Sequence, residues 1–203
     1  KYYKVGSGDL TAYQIIKELT KTRKPLIIST GLSKITEVND TIKFIKSQDS
    51  IYDKKDMIAL LQCTSTYPAK FSEINLNVIK TYLNKFPKAI IGYSGHEQGI
   101  AIPIAAVAIG AKIIERHFTL DRTMKGGDHA ASLEPQGFSK MVRDIRNIEK
   151  SMGSFEKQMQ QSEIPILNKL GKSIVSKIKI LANDVINMDM LTTKGPGTGI
   201  SPM

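Results

Sequence analysis

The feature that most constrains the fold is a repeated order of elements: a short apolar run, a polar loop, then an amphipathic stretch with helical spacing. The apolar runs have the length and near-continuous apolar character of buried strands. They occupy residues 2–6, 25–29, 57–63, 89–93 and 111–118. Helical stretches follow at residues 10–20, 37–47, 75–85, 100–109 and 137–152. This pattern predicts a parallel sheet covered by helices.

Two α/β architectures fit five consecutive strand–helix units: a doubly wound sheet and part of a (β/α)₈ barrel. A nucleotide-binding doubly wound sheet is weakly supported, because Gly6-Ser7-Gly8 lacks the third glycine at the required offset. The barrel is favoured because polar residues follow every strand, and in a barrel those strand ends meet on one face. A barrel takes about 250 residues and an open arc exposes its edges, so we expect the missing strands to precede Lys1.

The character of the sequence changes after Gly153. Residues 154–169 begin with a polar, glutamine-rich stretch and predict a linker. From Leu170 an alternating apolar pattern predicts a strand, and glycine and proline become frequent near the end. We therefore predict the last five βα units of a barrel in residues 1–153, a linker in 154–169, and the start of a small β-rich domain in 170–203.

Charge and composition limit the classes of function. The net charge of +10 is compatible with nucleic acid or a membrane surface as a partner. The lysines are scattered, however, and no basic run is interleaved with aromatic residues, so we predict a solvated surface and no nucleic-acid partner. No apolar run approaches the roughly 20 residues of a membrane helix, so we predict no membrane partner. The single cysteine, Cys63, fits a buried thiol in a reducing, cytoplasmic compartment.

Two histidines form a candidate metal site. His96 follows the fourth predicted strand and His117 lies in the fifth, and neighbouring strands are about 4.8 Å apart, so both imidazoles can reach one ion. Glu115 alternates in phase with His117, and Asp128 in the next loop could supply an oxygen. Two imidazoles and a carboxylate suit Mn²⁺, Zn²⁺ or Fe²⁺. The alternative is that both are ordinary hydrogen-bonded residues at the barrel mouth; His129 is not predicted as a ligand.

A second set of polar residues predicts an anion site. One lysine and several hydroxyls stand at strand ends beside glycines: Lys4, Ser7, Ser29, Thr30 and Ser94. A phosphate or carboxylate requires such donors and a close approach of the backbone. Each serine alone is equally typical of a turn, but the set on one face indicates an anionic substrate.

Several stretches resemble the sialic acid synthase family in both order and spacing. They are residues 3–9 (YKVGSGD), 27–31 (IISTG), 61–68 (LQCTSTYP), 91–96 (IGYSGH), 114–121 (IERHFTLD) and 128–135 (DHAASLEP). The likeness extends to the tail, where residues 170–173 and 196–199 resemble the start of the family's antifreeze-like (SAF) domain. The similarity therefore runs through the whole chain.

The resemblance implies a (β/α)₈ barrel followed by an SAF domain, in a homodimer whose subunits exchange that domain. On this view the chain lacks the N-terminal barrel strands and most of the SAF domain. The metal ligands of the family match His96 and His117, with Mn²⁺ as the expected ion and Mg²⁺ or Co²⁺ as alternatives. Glu115 matches a residue of the metal-bound water shell.

The resemblance also assigns substrate contacts. The phosphoenolpyruvate site of the family matches Lys4, Ser7, Ser29 and Ser94, with Ser65 where some members have asparagine. Tyr67 and Asp128 match residues that contact the amino sugar. Glu115 and Asp128 are therefore the catalytic candidates.

The implied reaction joins phosphoenolpyruvate to N-acetylmannosamine or its 6-phosphate, giving N-acetylneuraminate or its 9-phosphate and phosphate. Members that use the unphosphorylated sugar often have arginine where this chain has Gly195, which favours the phosphorylated substrate. Two alternatives stay open: a synthase for a related acid, legionaminic or pseudaminic, and a truncated chain without catalysis. We expect these 203 residues alone to be inactive, because strands of the barrel are missing.

Overall fold

The computed structural model describes residues 1–203, which form two compact units, Lys1–Gly153 and Ser154–Met203. The first unit contains a five-stranded parallel sheet, and the second contains a two-stranded antiparallel sheet. No helix of either unit combines the length and apolarity needed to cross a bilayer.

The first unit alternates strands and helices along the chain. Its strands are β1 (Tyr3–Val5), β2 (Leu26–Ser29), β3 (Ile58–Cys63), β4 (Ile90–Gly95) and β5 (Ile113–Arg116). Its α-helices are α1 (Tyr13–Thr20), α2 (Ile35–Gln48), α3 (Asn77–Lys85), α4 (Ala101–Ala108) and α5 (Pro135–Ser151). Every predicted strand and helix of this unit is present. The fifth strand is shorter than predicted, because Phe118 leaves the ladder and forms an isolated bridge with Leu133.

The order of the strands decides between the two predicted architectures. The strands lie in sequence order, β1-β2-β3-β4-β5, and each neighbouring pair is parallel. A doubly wound sheet reverses its strand order at a switch point, whereas a (β/α)₈ barrel keeps neighbouring strands in sequence order. The prediction of five βα units from a (β/α)₈ barrel is therefore confirmed.

The two faces of the sheet differ in chemistry. Residues such as Ile28, Leu60 and Ile91 are at most 1% exposed and belong to the apolar core between the sheet and the helices. Successive side chains of a strand point to opposite faces, so their neighbours in sequence face the other way. That other face ends in polar side chains at the carboxyl ends of the strands, and the register pairs Cys63 with Ser94. The packed core thus holds those polar ends in fixed register.

Helix α2 shows how local sequence sets the position of an element. The backbone N–H of Lys34 donates to Glu37 Oε2 at 2.7 Å, which satisfies a donor at the helix start. Val38 and Ile45 are buried in the core on the same stripe of the helix. Thr41, also buried, donates to the carbonyl of Leu10 at 3.0 Å and ties the helix to the loop after β1.

The second unit contains helix α6 (Ile164–Leu170) and strands β6 (Ser173–Ser176) and β7 (Leu191–Lys194). The region predicted as a linker, residues 154–169, therefore ends in a helix, which has proline in its first turn, where a missing N–H costs nothing. Ser173 Oγ donates to the Pro196 carbonyl at 2.6 Å and accepts from the Gly199 N–H at 2.9 Å. Assignment of this unit to an SAF domain remains a prediction.

Candidate functional site

A cleft of about 290 Å³ lies at the carboxyl ends of the strands in the first unit. It contains every predicted site residue except Thr30 and Asp128: Lys4, Ser7, Ser29, Ser65, Tyr67, Ser94, His96, Glu115 and His117. These residues come from five different strand–loop junctions. The parallel sheet brings them together because the carboxyl ends of its strands share one edge.

One part of the cleft, here called the anion half, contains Lys4, Ser7, Ser29, Ser94 and Glu115. Lys4 Nζ donates to Ser29 Oγ at 2.8 Å and lies 3.5 Å from Glu115 Oε2. Ser94 Oγ donates to Glu115 Oε1 at 2.7 Å, and Ser29 Oγ is 3.4 Å from the same oxygen. The carboxylate of Glu115 is therefore the internal anion of this cluster, since it contacts Lys4, Ser29 and Ser94. The sequence had grouped Glu115 with His117 instead, because the two alternate in phase along the predicted strand.

The backbone of Gly31 approaches the same half of the cleft. Its N–H donates to Ser7 Oγ at 3.1 Å, and the Ser7 hydroxyl in turn donates to Cys63 Sγ at 3.5 Å. A Cβ on Gly31 would lie 2.1 Å from Ser65 Oγ and 2.8 Å from Ser7 Oγ, far closer than side chains allow. Only glycine therefore leaves room for these hydroxyls at the cleft floor.

Cys63 also lines the cleft, which sequence reasoning did not predict beyond a buried thiol. Burial opposes ionisation of the thiol, but hydrogen bonds with His96, Ser7 and Ser65 outweigh it and lower its pKa to about 7. The signal that could have found it is its place as the last residue of β3, in register with Ser94.

The other part of the cleft, here called the imidazole half, contains Tyr67, His96 and His117, with Asp128 beside it. The rings of His96 and His117 have centroids 5.2 Å apart, and the Tyr67 ring lies 4.2 Å from that of His96. His96 Nδ1 is 2.9 Å from the carbonyl oxygen of Thr64. A carbonyl only accepts hydrogen bonds, so Nδ1 carries a proton, and in the neutral ring Nε2 keeps the lone pair.

The environment of this half shifts two further pKa values. Burial lowers the pKa of His96, but its hydrogen bonds to Cys63 and to the Thr64 carbonyl outweigh that effect, and the net shift is upward. Burial, followed by the negative charges of Cys63, Asp128 and Glu115, raises the pKa of Tyr67. The phenol of Tyr67 therefore stays protonated near neutral pH and can donate a hydrogen bond.

Asp128 lies at the edge of the cleft, with its Oδ2 3.7 Å from His117 Nδ1 and its side chain 63% exposed. His129 is engaged elsewhere, with Nδ1 2.7 Å from Thr119 Oγ1. Thr30, grouped with the anion-binding residues from sequence, does not line the cleft: its hydroxyl donates to the Leu61 carbonyl and accepts from Tyr82. These bonds hold it among buried residues, since Thr30 is only 3% exposed.

The imidazole half fits a divalent transition ion. The Thr64 carbonyl fixes the tautomer of His96 and leaves a free ring nitrogen, as is common for metal-bound histidines. The structure contains no group of three or more histidine, cysteine, aspartate or glutamate side chains arranged around one ion position. His96 and His117 would therefore be the main protein ligands, and such a site keeps positions open for water or substrate.

Comparison with known proteins identifies the family. The model of the NeuB family matches residues 1–157, most of the chain. The chain belongs to the NeuB family.

The relatives of this NeuB-family chain include several synthases. It is 43% identical to human N-acetylneuraminate-9-phosphate synthase over 202 residues, covering 99% of this chain and 55% of the relative. It is 40% identical to the N,N'-diacetyllegionaminic acid synthase of Campylobacter jejuni, covering 100% of this chain and 60% of the relative. The chain thus spans little more than half the length of these curated relatives.

A solved structure supports the fold. The sialic acid synthetase of Leptospira borgpetersenii, determined in complex with citrate, matches with a TM-score of 0.71 and 33% identity. The match covers 81% of this chain and 55% of the synthetase. The likeness in fold and sequence places the arc of five βα units within a known synthase architecture.

Proposed function

We propose that the protein carrying this chain joins phosphoenolpyruvate to an N-acetylated amino sugar and releases phosphate. The observation that carries the proposal is the single cleft that a lysine and four serines line together with two imidazoles. The family supports it, since relatives similar to this chain are named as synthases of N-acetylneuraminate 9-phosphate and of diacetyllegionaminic acid.

The anion half suits phosphoenolpyruvate because this substrate carries both a phosphate and a carboxylate. Lys4 supplies a positive charge, and the hydroxyls of Ser7, Ser29 and Ser94 supply neutral donors beside it. Hydrogen bonds from a cation to such anions are about twice as strong as those between neutral groups. The Gly31 N–H donates to Ser7 Oγ and so helps to hold that hydroxyl in place.

The imidazole half suits the sugar aldehyde. A divalent ion held by His96 and His117, with Mn²⁺ as the expected ion, would act as a Lewis acid on the aldehyde oxygen. Tyr67 packs against both imidazoles, with ring centroids 4.2 and 5.6 Å away, and its hydroxyl group can donate to the sugar. Asp128, beside His117, can accept a hydrogen bond from a sugar hydroxyl.

The proposed reaction is a condensation with C–O cleavage. Carbon 3 of phosphoenolpyruvate forms a bond to the aldehyde carbon, whose oxygen takes up a proton. Water adds to carbon 2 and loses a proton, and the bond from carbon 2 to the bridging oxygen breaks, so that phosphate leaves. Lys4 and the serines stabilise the charge on the phosphate and carboxylate throughout. Proton transfer is assigned to Glu115, which lines the cleft, and to Asp128 at its edge.

The sugar is proposed to be N-acetylmannosamine 6-phosphate, giving N-acetylneuraminate 9-phosphate. The 43% identity to the human 9-phosphate synthase supports this choice. A second candidate is a legionaminic acid synthase, favoured by the 40% identity to the Campylobacter jejuni enzyme. We further propose that the protein acts in the cytoplasm as a homodimer that exchanges its SAF domain.

The test is phosphate release by the full-length protein with phosphoenolpyruvate, Mn²⁺ and one sugar at a time. We expect release with N-acetylmannosamine 6-phosphate that exceeds release with N-acetylmannosamine or with the diacetylated precursor of legionaminic acid. Release with the last sugar alone would select the second candidate. No release with any of them would reject the proposed reaction and support a chain without catalysis.

A further inference from the structure

A buried ion pair lies behind the cleft, on the opposite face of the sheet. Arg116 Nη1 is 2.7 Å from Glu97 Oε1, and both side chains are completely shielded from solvent. The guanidinium also donates to the backbone carbonyls of Glu97 and Gly99, the latter at 2.9 Å. Arg116 follows Glu115 on β5, and successive side chains of a strand point to opposite faces. Arg116 therefore points away from the cleft that Glu115 lines.

Tyr93 and Gly95 complete this arrangement. The Tyr93 hydroxyl donates to Glu97 Oε2 at 2.6 Å, and the tyrosine is 2% exposed. A Cβ on Gly95 would lie 2.6 Å both from Glu97 Oε2 and from the Tyr93 ring. The Glu97 carboxylate therefore folds back under Gly95 into a space that only glycine leaves open.

Each residue of the buried pair is adjacent in sequence to one candidate metal ligand. His96 lies between Gly95 and Glu97 in the chain, and His117 directly follows Arg116. Gly95 and Arg116 are also partners in the ladder between β4 and β5. The bonds from Arg116 to Glu97 and Gly99 extend this connection past the end of β4, where the ladder can no longer hold the chain.

Stability alone does not require a charged pair at this position. A buried ion pair is often no more stabilising than apolar residues of the same volume. Its bonds are directional, however, and they permit one relative placement of the two segments. The Arg116 guanidinium is oriented by its bonds to Glu97 and Gly99. In this orientation its Nε–H is buried and has no hydrogen-bond partner, which is unfavourable.

We propose that Glu97 and Arg116 are positioning residues that fix the separation of His96 and His117 and thereby set the affinity for a divalent ion. This inference rests on the metal-binding part of the proposed function. Neither residue contacts the substrate cleft, so their effect is exerted through the backbone that carries the two imidazoles.

The test measures the dissociation constant for Mn²⁺ by electron paramagnetic resonance in the full-length protein. We expect Glu97→Gln to weaken Mn²⁺ binding by about 10- to 100-fold, the loss typical of groups that orient metal ligands. Arg116→Lys should also weaken it, because one ammonium cannot replace the fork that reaches the carboxylate and two carbonyls. The matched control is Glu149→Gln, which removes the same charge from an exposed pair with Arg146 and should leave the Mn²⁺ affinity unchanged.

The variant Tyr93→Phe keeps the inference testable if the Glu97 and Arg116 variants do not fold. Tyr93→Phe deletes only the hydrogen bond to Glu97, and we expect Mn²⁺ binding about threefold weaker, in line with the loss of one hydrogen bond. All affinities are measured well below the unfolding temperature of each variant. If the unfolding temperature falls while the folded variants, Tyr93→Phe included, bind Mn²⁺ like the wild type, the inference is overturned.

Two further outcomes separate this inference from the proposed function. If the wild type binds Mn²⁺ through His96, as shown by loss of binding in His96→Gln, but the Glu97 and Arg116 variants bind normally, only the positioning role fails. If the wild type does not bind Mn²⁺, or His96→Gln binds it equally well, the proposed metal site fails and the positioning role fails with it.

Discussion

The two halves of the cleft differ in how far their polar groups are already paired. In the anion half, Lys4, Ser29 and Ser94 all reach the carboxylate of Glu115. In the imidazole half, His96 is held only through Nδ1, and His117 Nδ1 lies 3.7 Å from Asp128 Oδ2. The anion half is a closed network with an internal anion, whereas the imidazole half presents ring nitrogens without protein partners.

This difference indicates what each half would do when it binds its ligand. An anionic substrate entering the first half must displace Glu115 from Lys4, so binding there is an exchange of one anion for another. In the imidazole half, no protein group has to leave before a cation binds. A cation placed between the imidazoles would also be a new counter-charge for the carboxylate of Glu115 once it has left Lys4. The two halves are thus expected to be coupled through Glu115.

The largest expected effect comes from removing an imidazole. His96→Gln and His117→Gln should each lower kcat/KM by about a thousandfold, because the aldehyde would lose its electrostatic stabilisation. The measurement is Mn²⁺-dependent phosphate release by the full-length protein. His129→Gln is the control, since His129 bonds to Thr119 outside the cleft, and it should remain active. Equal losses in all three variants would contradict a specific role for the imidazole half.

The next effect comes from the anion half. Lys4→Met removes the positive charge of that half, and we expect the KM for phosphoenolpyruvate to rise by about 100-fold, as for a lost charged hydrogen bond. Mn²⁺ affinity should change little, because Lys4 does not reach the imidazoles. Lys43→Met, at an exposed pair with Asp40, is the control. An unchanged KM in Lys4→Met would show that the anion binds elsewhere.

A smaller effect is expected from the floor of the anion half. Gly31→Ala would place a methyl group against the hydroxyls of Ser7 and Ser65, and should weaken phosphoenolpyruvate binding by about tenfold through overpacking. Calorimetric titration measures the affinity. Gly137→Ala, where the added carbon meets only Leu133 at an ordinary 3.6 Å, is the control and should bind normally. Normal binding by both variants would mean that the floor does not hold the substrate.

The smallest expected effect comes from removing Glu115, and it tests whether phosphoenolpyruvate displaces this carboxylate from Lys4. Glu115→Gln removes the carboxylate that occupies Lys4, so phosphoenolpyruvate should bind about threefold more tightly in the absence of metal. The modest size reflects the partial exposure of both side chains. Weaker binding would show that Glu115 assists the anion rather than competing with it.

Most of the fold could be predicted from the sequence, because buried parallel strands leave continuous apolar runs that helices separate. The end of the fifth strand could not be predicted from the sequence. Phe118 continues the apolar run of that strand, but in the structure it forms an isolated bridge with Leu133. The short helix Ile164–Leu170 was hidden in a region predicted as a linker, because it is brief and its neighbours are polar.

The location of the site could also be predicted, since Lys4, Ser29 and Ser94 stand at strand ends, which meet on one face of a barrel. The partners of Glu115 could not, because pairing with Lys4 rather than with His117 depends on side-chain rotamers and not on phase. The pair of Glu97 with Arg116 had no sequence signal, because Glu97 lies beyond the strand, where no periodicity applies.

The most direct test of the account is a crystal structure of the full-length protein with Mn²⁺ and phosphoenolpyruvate, with anomalous data collected for manganese. The account predicts a manganese peak bonded to Nε2 of His96 and to His117, phosphoenolpyruvate on Lys4 and the serines, and Glu115 displaced from Lys4. A manganese peak away from both histidines, or phosphoenolpyruvate bound away from Lys4, would contradict it.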